Sequence, residues 1–164
     1  MNLNSVEDYW REILVPSATD LATNPSPRTV FNAALAAWHL HEWVWHERHP
    51  GVSTRQNGNF DIFQKRLLKS CPELGWLRDL ADAGKHRGLD RRNIRVGSAK
   101  RRPRGGYMGS SYNASNYFAA LGGGTSYSIE LTDKTRQEIA MVFQKAIEFW
   151  RNVELKGSNL PSPF

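Results

Sequence analysis

Arg78, Asp82 and His86 are the residues whose types and spacing are most typical of a catalytic site. They are four residues apart, so on a helix their side chains share one face. An imidazole exchanges protons near neutral pH, a guanidinium stabilises a phosphate oxygen, and a nearby carboxylate orients either group. RNA cleavage by the 2′-hydroxyl of RNA itself requires these functions and no metal ion. We predict His86 as the acid–base group, Arg78 as the phosphate ligand and Asp82 as the orienting group.

The same residues also have a purely structural interpretation. Arg78 and Asp82 are spaced as an ordinary ion pair on a helix surface. Lys85, His86 and Arg87 would stabilise the negative end of the helix dipole. The spacing alone leaves both interpretations open.

Histidines form a second cluster, at the end of a long predicted helix. His39, Glu42, His46 and His49 are spaced to share one helical face. Zinc proteases need two histidines four residues apart, which this pattern lacks, and Cys71 is the single cysteine of the chain. We therefore predict a polar stripe on this helix, with no metal site and no cofactor.

Positive charge is concentrated in one segment. The net charge of the chain is +6, yet residues 85–104 contain nine lysines and arginines against Asp90, which gives +8 for this window. Basic side chains bind phosphates, and aromatic rings in glycine-rich backbone can stack on unpaired bases. We predict an RNA-binding segment that comprises Lys85, Arg91, Arg92, Arg95, Lys100, Arg101, Arg102, Arg104 and Tyr107. A solvated loop or an oligomerisation hairpin would also explain its composition.

Hydrophobic spacing predicts the elements that would position these residues. A first helix begins after Ser5 and kinks or ends at Pro16, and a second runs from about Pro27 to about Arg48. A third is capped by Asn59, and a fourth begins near Pro72 and ends near Arg87-Gly88. Residues 93–96 and 127–131 alternate as two short strands, and Thr132 caps a last helix.

The fold class that we predict is all-α. It is a four- to five-helix bundle with a small β-hairpin and a glycine-rich insertion before the last helix. Residues 1–156 would form one domain, with the basic insertion at about 88–128 and a flexible tail at 157–164. The sequence has no recognisable signal peptide and no apolar run of bilayer length, so we expect a cytoplasmic protein without membrane contact.

The helix Phe31–Leu40, followed by a helix that ends in Arg78…Lys85-His86, resembles the HEPN superfamily. That family comprises compact helical bundles, frequently dimeric, and many members are metal-independent ribonucleases of toxin–antitoxin or phage-defence systems. Its signature is an Arg, four to six residues and a His, whereas seven residues separate Arg78 from His86 here. The resemblance implies RNA as a ligand, a homodimer, an antitoxin-like protein partner, and a secondary polar pocket in which His39 and Glu42 face the helix of Arg78.

Two other functions are compatible with the sequence. A non-catalytic interaction module would use exposed aromatic residues and the hairpin for homodimerisation or for binding an acidic partner. A small-molecule enzyme would use the histidine stripe. Salt dependence separates the first of these from RNA binding, because an apolar interface responds little to added salt.

Overall fold

The computed structural model describes residues 3–55, 57–85, 95–103, 125–156 and 160, with the backbone alone for residues 84, 85, 102, 103 and 125. These residues form five helical segments and one three-stranded antiparallel sheet. No helix among them has both the length and the apolar character needed to cross a membrane.

The first helical segment is continuous but changes its winding twice. It consists of α1 (Val6–Tyr9), a π-helical turn (Trp10–Leu14) and α2 (Val15–Thr23). The other helices are α3 (Pro27–Arg48), α4 (Gly58–Ser70), α5 (Pro72–Lys85) and α6 (Ile139–Phe149), which continues into a second π-helical turn (Trp150–Glu154).

Side-chain caps fix where the helices begin. The Ser5 hydroxyl accepts a hydrogen bond from Asp8 N at 3.0 Å, and Ser26 forms a reciprocal capping box with Thr29. Both predicted starts are confirmed, as are the bounds of α3. The prediction of Asn59 as a cap is wrong, because the side-chain oxygen Oδ1 of Asn57 accepts hydrogen bonds from Asn59 N and Phe60 N.

The predicted end of the first helix at Pro16 is also wrong, while the alternative, a kink there, stays a prediction. The helix continues from the π turn through Pro16 to Thr23. Pro16 occupies the first turn of α2, directly after Val15 N has bonded to Trp10 O across the wider turn. Proline is tolerated there because the change in hydrogen-bond register removes the need for its missing N–H.

The sheet overturns the predicted all-α class. Strand β1 (Val96–Pro103) pairs with β2 (Thr125–Leu131), which pairs with β3 (Arg136–Glu138). An antiparallel hairpin is present and β2 covers the strand predicted at 127–131, but β1 runs onward from Val96 and shares only that residue with the strand predicted at 93–96. Ile129 is fully buried and Leu131 nearly so, which makes the sheet a layer of the core. The sequence predicts Thr132 as a helix cap and no third strand, whereas the Thr132 N–H donates to Arg95 O and α6 begins only at Ile139.

Small residues let the helices of the core approach closely. Ala33, Ala36 and Ala37 of α3 are buried, as their composition predicts. The carbonyl oxygen of Ala36 accepts a hydrogen bond from the Tyr9 hydroxyl, and that of Ala37 accepts one from Trp150 Nε1, each at 3.1 Å. The first and last helical segments are thereby tied to the middle of α3.

The second π turn determines which residues at the end of the chain face inward. Regular 3.6-residue spacing predicts a buried Val153, but Val153 is 59% exposed and Glu154 is buried instead. The Glu154 carboxylate accepts hydrogen bonds from Arg48 at 3.0 Å and from Arg66 at 2.7 and 3.0 Å. This cluster joins the end of α3, the middle of α4 and the end of the last helical segment.

Glu154→Gln should lower the free energy of unfolding by about 1–2 kcal/mol at neutral pH. It removes charge-assisted hydrogen bonds, but both arginines are half exposed and can be rehydrated. Urea unfolding checks this, with Glu148→Gln on the exposed side of α6 as a matched control that should change little.

The same substitution has a pH signature. Burial raises the pKa of Glu154, but the hydrogen bonds and charges of Arg66 and Arg48 outweigh it, so the net pKa is lowered from 4.5. The stabilisation is complete above about pH 4.5 and is lost as the pH falls through the lowered pKa. The difference between the two proteins should therefore shrink in acid, and a difference that grows there would contradict this account.

Candidate functional site

The predicted catalytic helix, α5, packs against α3, and Arg78 lies where they meet. The Arg78 guanidinium carbon is 5.7 Å from the centre of the Trp38 ring, and the Arg78 side chain is 19% exposed. A guanidinium over a tryptophan face is held by cation–π attraction. Arg78 is therefore fixed in orientation, with a small part of its surface open to solvent.

Asp79 is the acidic residue that the structure pairs with Arg78. Its Oδ1 is 3.6 Å from Arg78 Nη2, and its Oδ2 accepts a hydrogen bond from the backbone N of Arg95 at 2.7 Å. The Asp79 side chain is only 1% exposed. Asp82, the predicted orienting residue, lies one turn beyond Arg78 on α5 and is partly buried.

His41 is the buried centre of the polar residues on α3. Its ring stacks between Trp38 and Phe60, with centroid distances of 4.1 and 5.4 Å. Its Nδ1 is 2.5 Å from the Trp38 carbonyl oxygen and its Nε2 is 2.7 Å from Gln64 Nε2. A carbonyl only accepts, so Nδ1 carries the proton and Nε2 accepts from the Gln64 amide.

Burial lowers the pKa of His41 to about 4, and the opposing effects of the Trp38 carbonyl and Glu42 are smaller. The positive charges of His39 and Arg78 act in the same direction as burial. His41 is consequently neutral at physiological pH, with both ring nitrogens engaged, and does not serve as an acid–base group. The sequence contained a signal for its burial, because His41 falls in the apolar register of α3 with Trp38 and Trp45.

His39 and Glu42 lie beside His41, at the surface of α3. His39 Nδ1 is 3.4 Å from Glu42 Oε1, and the two side chains are 30% and 44% exposed. The hydrogen bond from His39 lowers the pKa of Glu42 below 4.5, against the effect of partial burial. The predicted secondary pocket thus consists of the contacting side chains of His39 and Glu42 next to a neutral buried imidazole.

The other two histidines of the stripe have different surroundings. His46 is exposed to solvent, whereas His49 stacks on Trp45 with 3.9 Å between the ring centroids. Within the ranges that the structure describes, no three His, Cys, Asp or Glu side chains converge as metal ligands. Burial raises the pKa of the Cys71 thiol to about 11, which makes it a poor nucleophile.

The basic segment is in part a paired strand. Lys100 and Arg101 of β1 are both exposed, and their partners across the hairpin are Ser128 and Tyr127. Successive residues of a strand point to opposite faces, so Arg101 and Tyr127 share one face and Lys100 lies on the other. His86, Arg91, Arg92, Arg104 and Tyr107 lie outside the described residues, as do the side chains of Lys85 and Arg102.

Comparisons with known proteins gave no match: no protein-family model matches the chain, and no curated protein or solved structure is significantly similar to it. The resemblance to the HEPN superfamily therefore stays a prediction that depends on the short motif alone.

The buried neutral His41 predicts a pH dependence of stability. Between its folded pKa near 4 and the ordinary value of 6.5, the unfolded chain binds a proton that the folded chain does not. The free energy of unfolding should therefore fall as the pH is lowered through this range. From pH 7 to 5.5 the loss due to His41 should be about 1 kcal/mol.

Urea unfolding of the wild type and of His41→Gln at pH 7 and pH 5.5 measures how much His41 contributes to the pH dependence of the free energy of unfolding. The glutamine variant should lose about 1 kcal/mol less than the wild type over the same interval. His46→Gln, which changes an exposed histidine of the same helix, should follow the wild type. Equal pH dependence in all three proteins would contradict a neutral buried His41.

Proposed function

We propose that this protein binds single-stranded RNA through the hairpin of β1 and β2. The observation that carries the proposal is the position of Lys100 and Arg101, which are exposed at adjacent positions of a strand that is paired along its length with β2, with one cation on each face of the hairpin. Cations on a fixed strand can contact phosphates without the entropy cost of ordering a loop.

Tyr127 supports the choice of single-stranded RNA as the ligand. It lies opposite Arg101 on the same face of the hairpin and is half-buried against the core. An anchored aromatic ring beside an arginine provides a surface on which an unpaired base can stack. Double-stranded RNA would present its phosphates but not its base faces.

A second candidate function, metal-independent RNA cleavage as in HEPN ribonucleases, is favoured by the position of Arg78. This residue is oriented by Trp38 and Asp79 and keeps part of its surface exposed. The α5 backbone continues to Lys85, directly before His86 in the sequence. In this proposal His86 transfers the protons and Arg78 stabilises the phosphate, with Asp82 one turn away from Arg78.

Binding of a fluorescent mixed-sequence RNA, measured by anisotropy between 50 and 200 mM salt, tests the first proposal. Lys100→Ala with Arg101→Ala should weaken binding and reduce the slope of log K against log salt by roughly 1.4, at about 0.7 per lost phosphate contact. Lys65→Ala with Lys69→Ala removes the same charge from the exposed side of α4 and should leave the slope nearly unchanged. Equal effects of both pairs would mean unspecific charge attraction and would contradict the proposed surface.

RNA cleavage in the presence of a chelator tests the second proposal. Wild-type protein should cut RNA, whereas His86→Ala and Arg78→Ala should not, and His46→Ala should cut normally. Arg78→Lys keeps the charge but loses the planar group, so it separates loss of chemistry from loss of folding, which a thermal melt monitors. If the protein binds RNA without cleaving it, the cleavage proposal fails and the binding proposal stands. If it does neither, an interaction module becomes the better explanation.

A further inference from the structure

Gly75 of α5 forms a notch that the side chain of Arg95 crosses. A Cβ atom placed on Gly75 would lie 2.6 Å from Arg95 Nη1, 3.2 Å from its Cζ and 3.4 Å from its Cδ. No side chain fits there while Arg95 keeps its position. Glycine inside a helix is unfavourable relative to alanine, and the close approach of Arg95 supplies a packing reason for it.

The backbone of Arg95 is fixed on both sides of the notch. Its N–H donates to Asp79 Oδ2 at 2.7 Å, and its carbonyl oxygen accepts from Thr132 N at 2.9 Å. The residue is thereby attached to α5 and to the turn that follows β2. Its guanidinium is positioned by these bonds and by the absence of a side chain at Gly75.

The guanidinium of Arg95 has no anionic partner among the described residues, although it is half-buried. Glu73, two residues before Gly75 on α5, is paired with Lys145 at 3.3 Å. Asp79 directs one oxygen to Arg78 and the other to the backbone of Arg95. Asp82 lies seven residues beyond Gly75, which is about 10 Å further along the helix.

A packed cation without a counter-ion is a suitable site for an anion. Arginine stems often lie along apolar surface while the head group stays in water, but a solvated head group would not require a glycine beneath it. A guanidinium binds the oxygens of a phosphate through two parallel hydrogen bonds. Arg95 directly precedes β1, so a phosphate bound there would lie at the start of the strand that carries Lys100 and Arg101.

We propose that the notch formed by Gly75 and Arg95 binds one backbone phosphate of the RNA. This inference rests on the proposed RNA-binding function and adds a fixed anchoring point to it. Gly75 acts as a positioning residue, because it determines where the Arg95 guanidinium lies without touching the ligand.

Two substitutions test the notch by different means. Arg95→Gln removes the charge, whereas Gly75→Ala keeps every charge and displaces the guanidinium. Both should weaken RNA binding roughly five- to tenfold and reduce the salt slope by about 0.7. Gly75→Ala should not lower the melting temperature, because alanine favours the helix and the displaced atoms end a flexible side chain.

Matched controls lie away from the proposed surface. Gly58→Ala is a glycine substitution at the start of α4, where an added Cβ meets nothing within 4 Å, and Arg136→Gln removes an exposed cation from the opposite edge of the sheet. Both should bind RNA as the wild type does. If Gly75→Ala and Arg95→Gln bind RNA with the affinity of the wild type, the proposal that the notch binds a phosphate is overturned, while the proposed RNA-binding function stays intact.

Titration with inorganic pyrophosphate separates the two proposals. If the wild type does not bind RNA but binds pyrophosphate, and both notch variants lose that binding, the anion site stands and the RNA function fails. If the wild type binds neither ligand, both proposals are overturned.

Discussion

The buried carboxylate of Asp79 is the constraint on which the rest of this structure depends. An unpaired charge in the interior would be strongly unfavourable, and the two oxygens of Asp79 are satisfied by Arg78 of the same helix and by the backbone N–H of Arg95. One side chain therefore connects the helical layer to the start of the basic strand. Without this contact, β1 would be held to the helices by Val96, which packs in the core, and by its pairing with β2, and the basic residues would be less firmly positioned relative to α5.

The polar residues between α3 and α5 likewise fix the positions of side chains where the two helices meet. His41 is neutral and engaged at both ring nitrogens, so it works as a hydrogen-bonding core residue between Trp38 and Gln64. Arg78 is oriented by the face of Trp38 and by Asp79. Arg78 is thus a fixed cation at this junction, and the proposed RNA cleavage would take its proton transfer from His86.

The helices were predictable from the sequence because Ser26-Pro27 and the apolar spacing of α3 are strong local signals. The fold class was not predictable from the sequence, because β3 spans only three residues and depends on pairing with β2. A 3.6-residue period predicts a buried Val153, and it fails because a π turn shifts the register so that Glu154 is buried instead. The contact between Asp79 and Arg95 joins positions 16 residues apart, which no local pattern reveals. The one sequence signal for this contact was the stripe of Gly75, Asp79 and Asp82 beside the apolar face of α5.

Ultraviolet cross-linking of bound RNA, followed by peptide mass spectrometry, tests the central claim most directly. The proposal that the hairpin is the RNA-binding surface predicts cross-linked peptides from residues 95–103 and 125–131, with Tyr127 as a principal site, and their loss as the salt concentration rises. Cross-links confined to the surface around Arg48 and Arg66, or cross-links that persist at high salt without involving the hairpin, would contradict it.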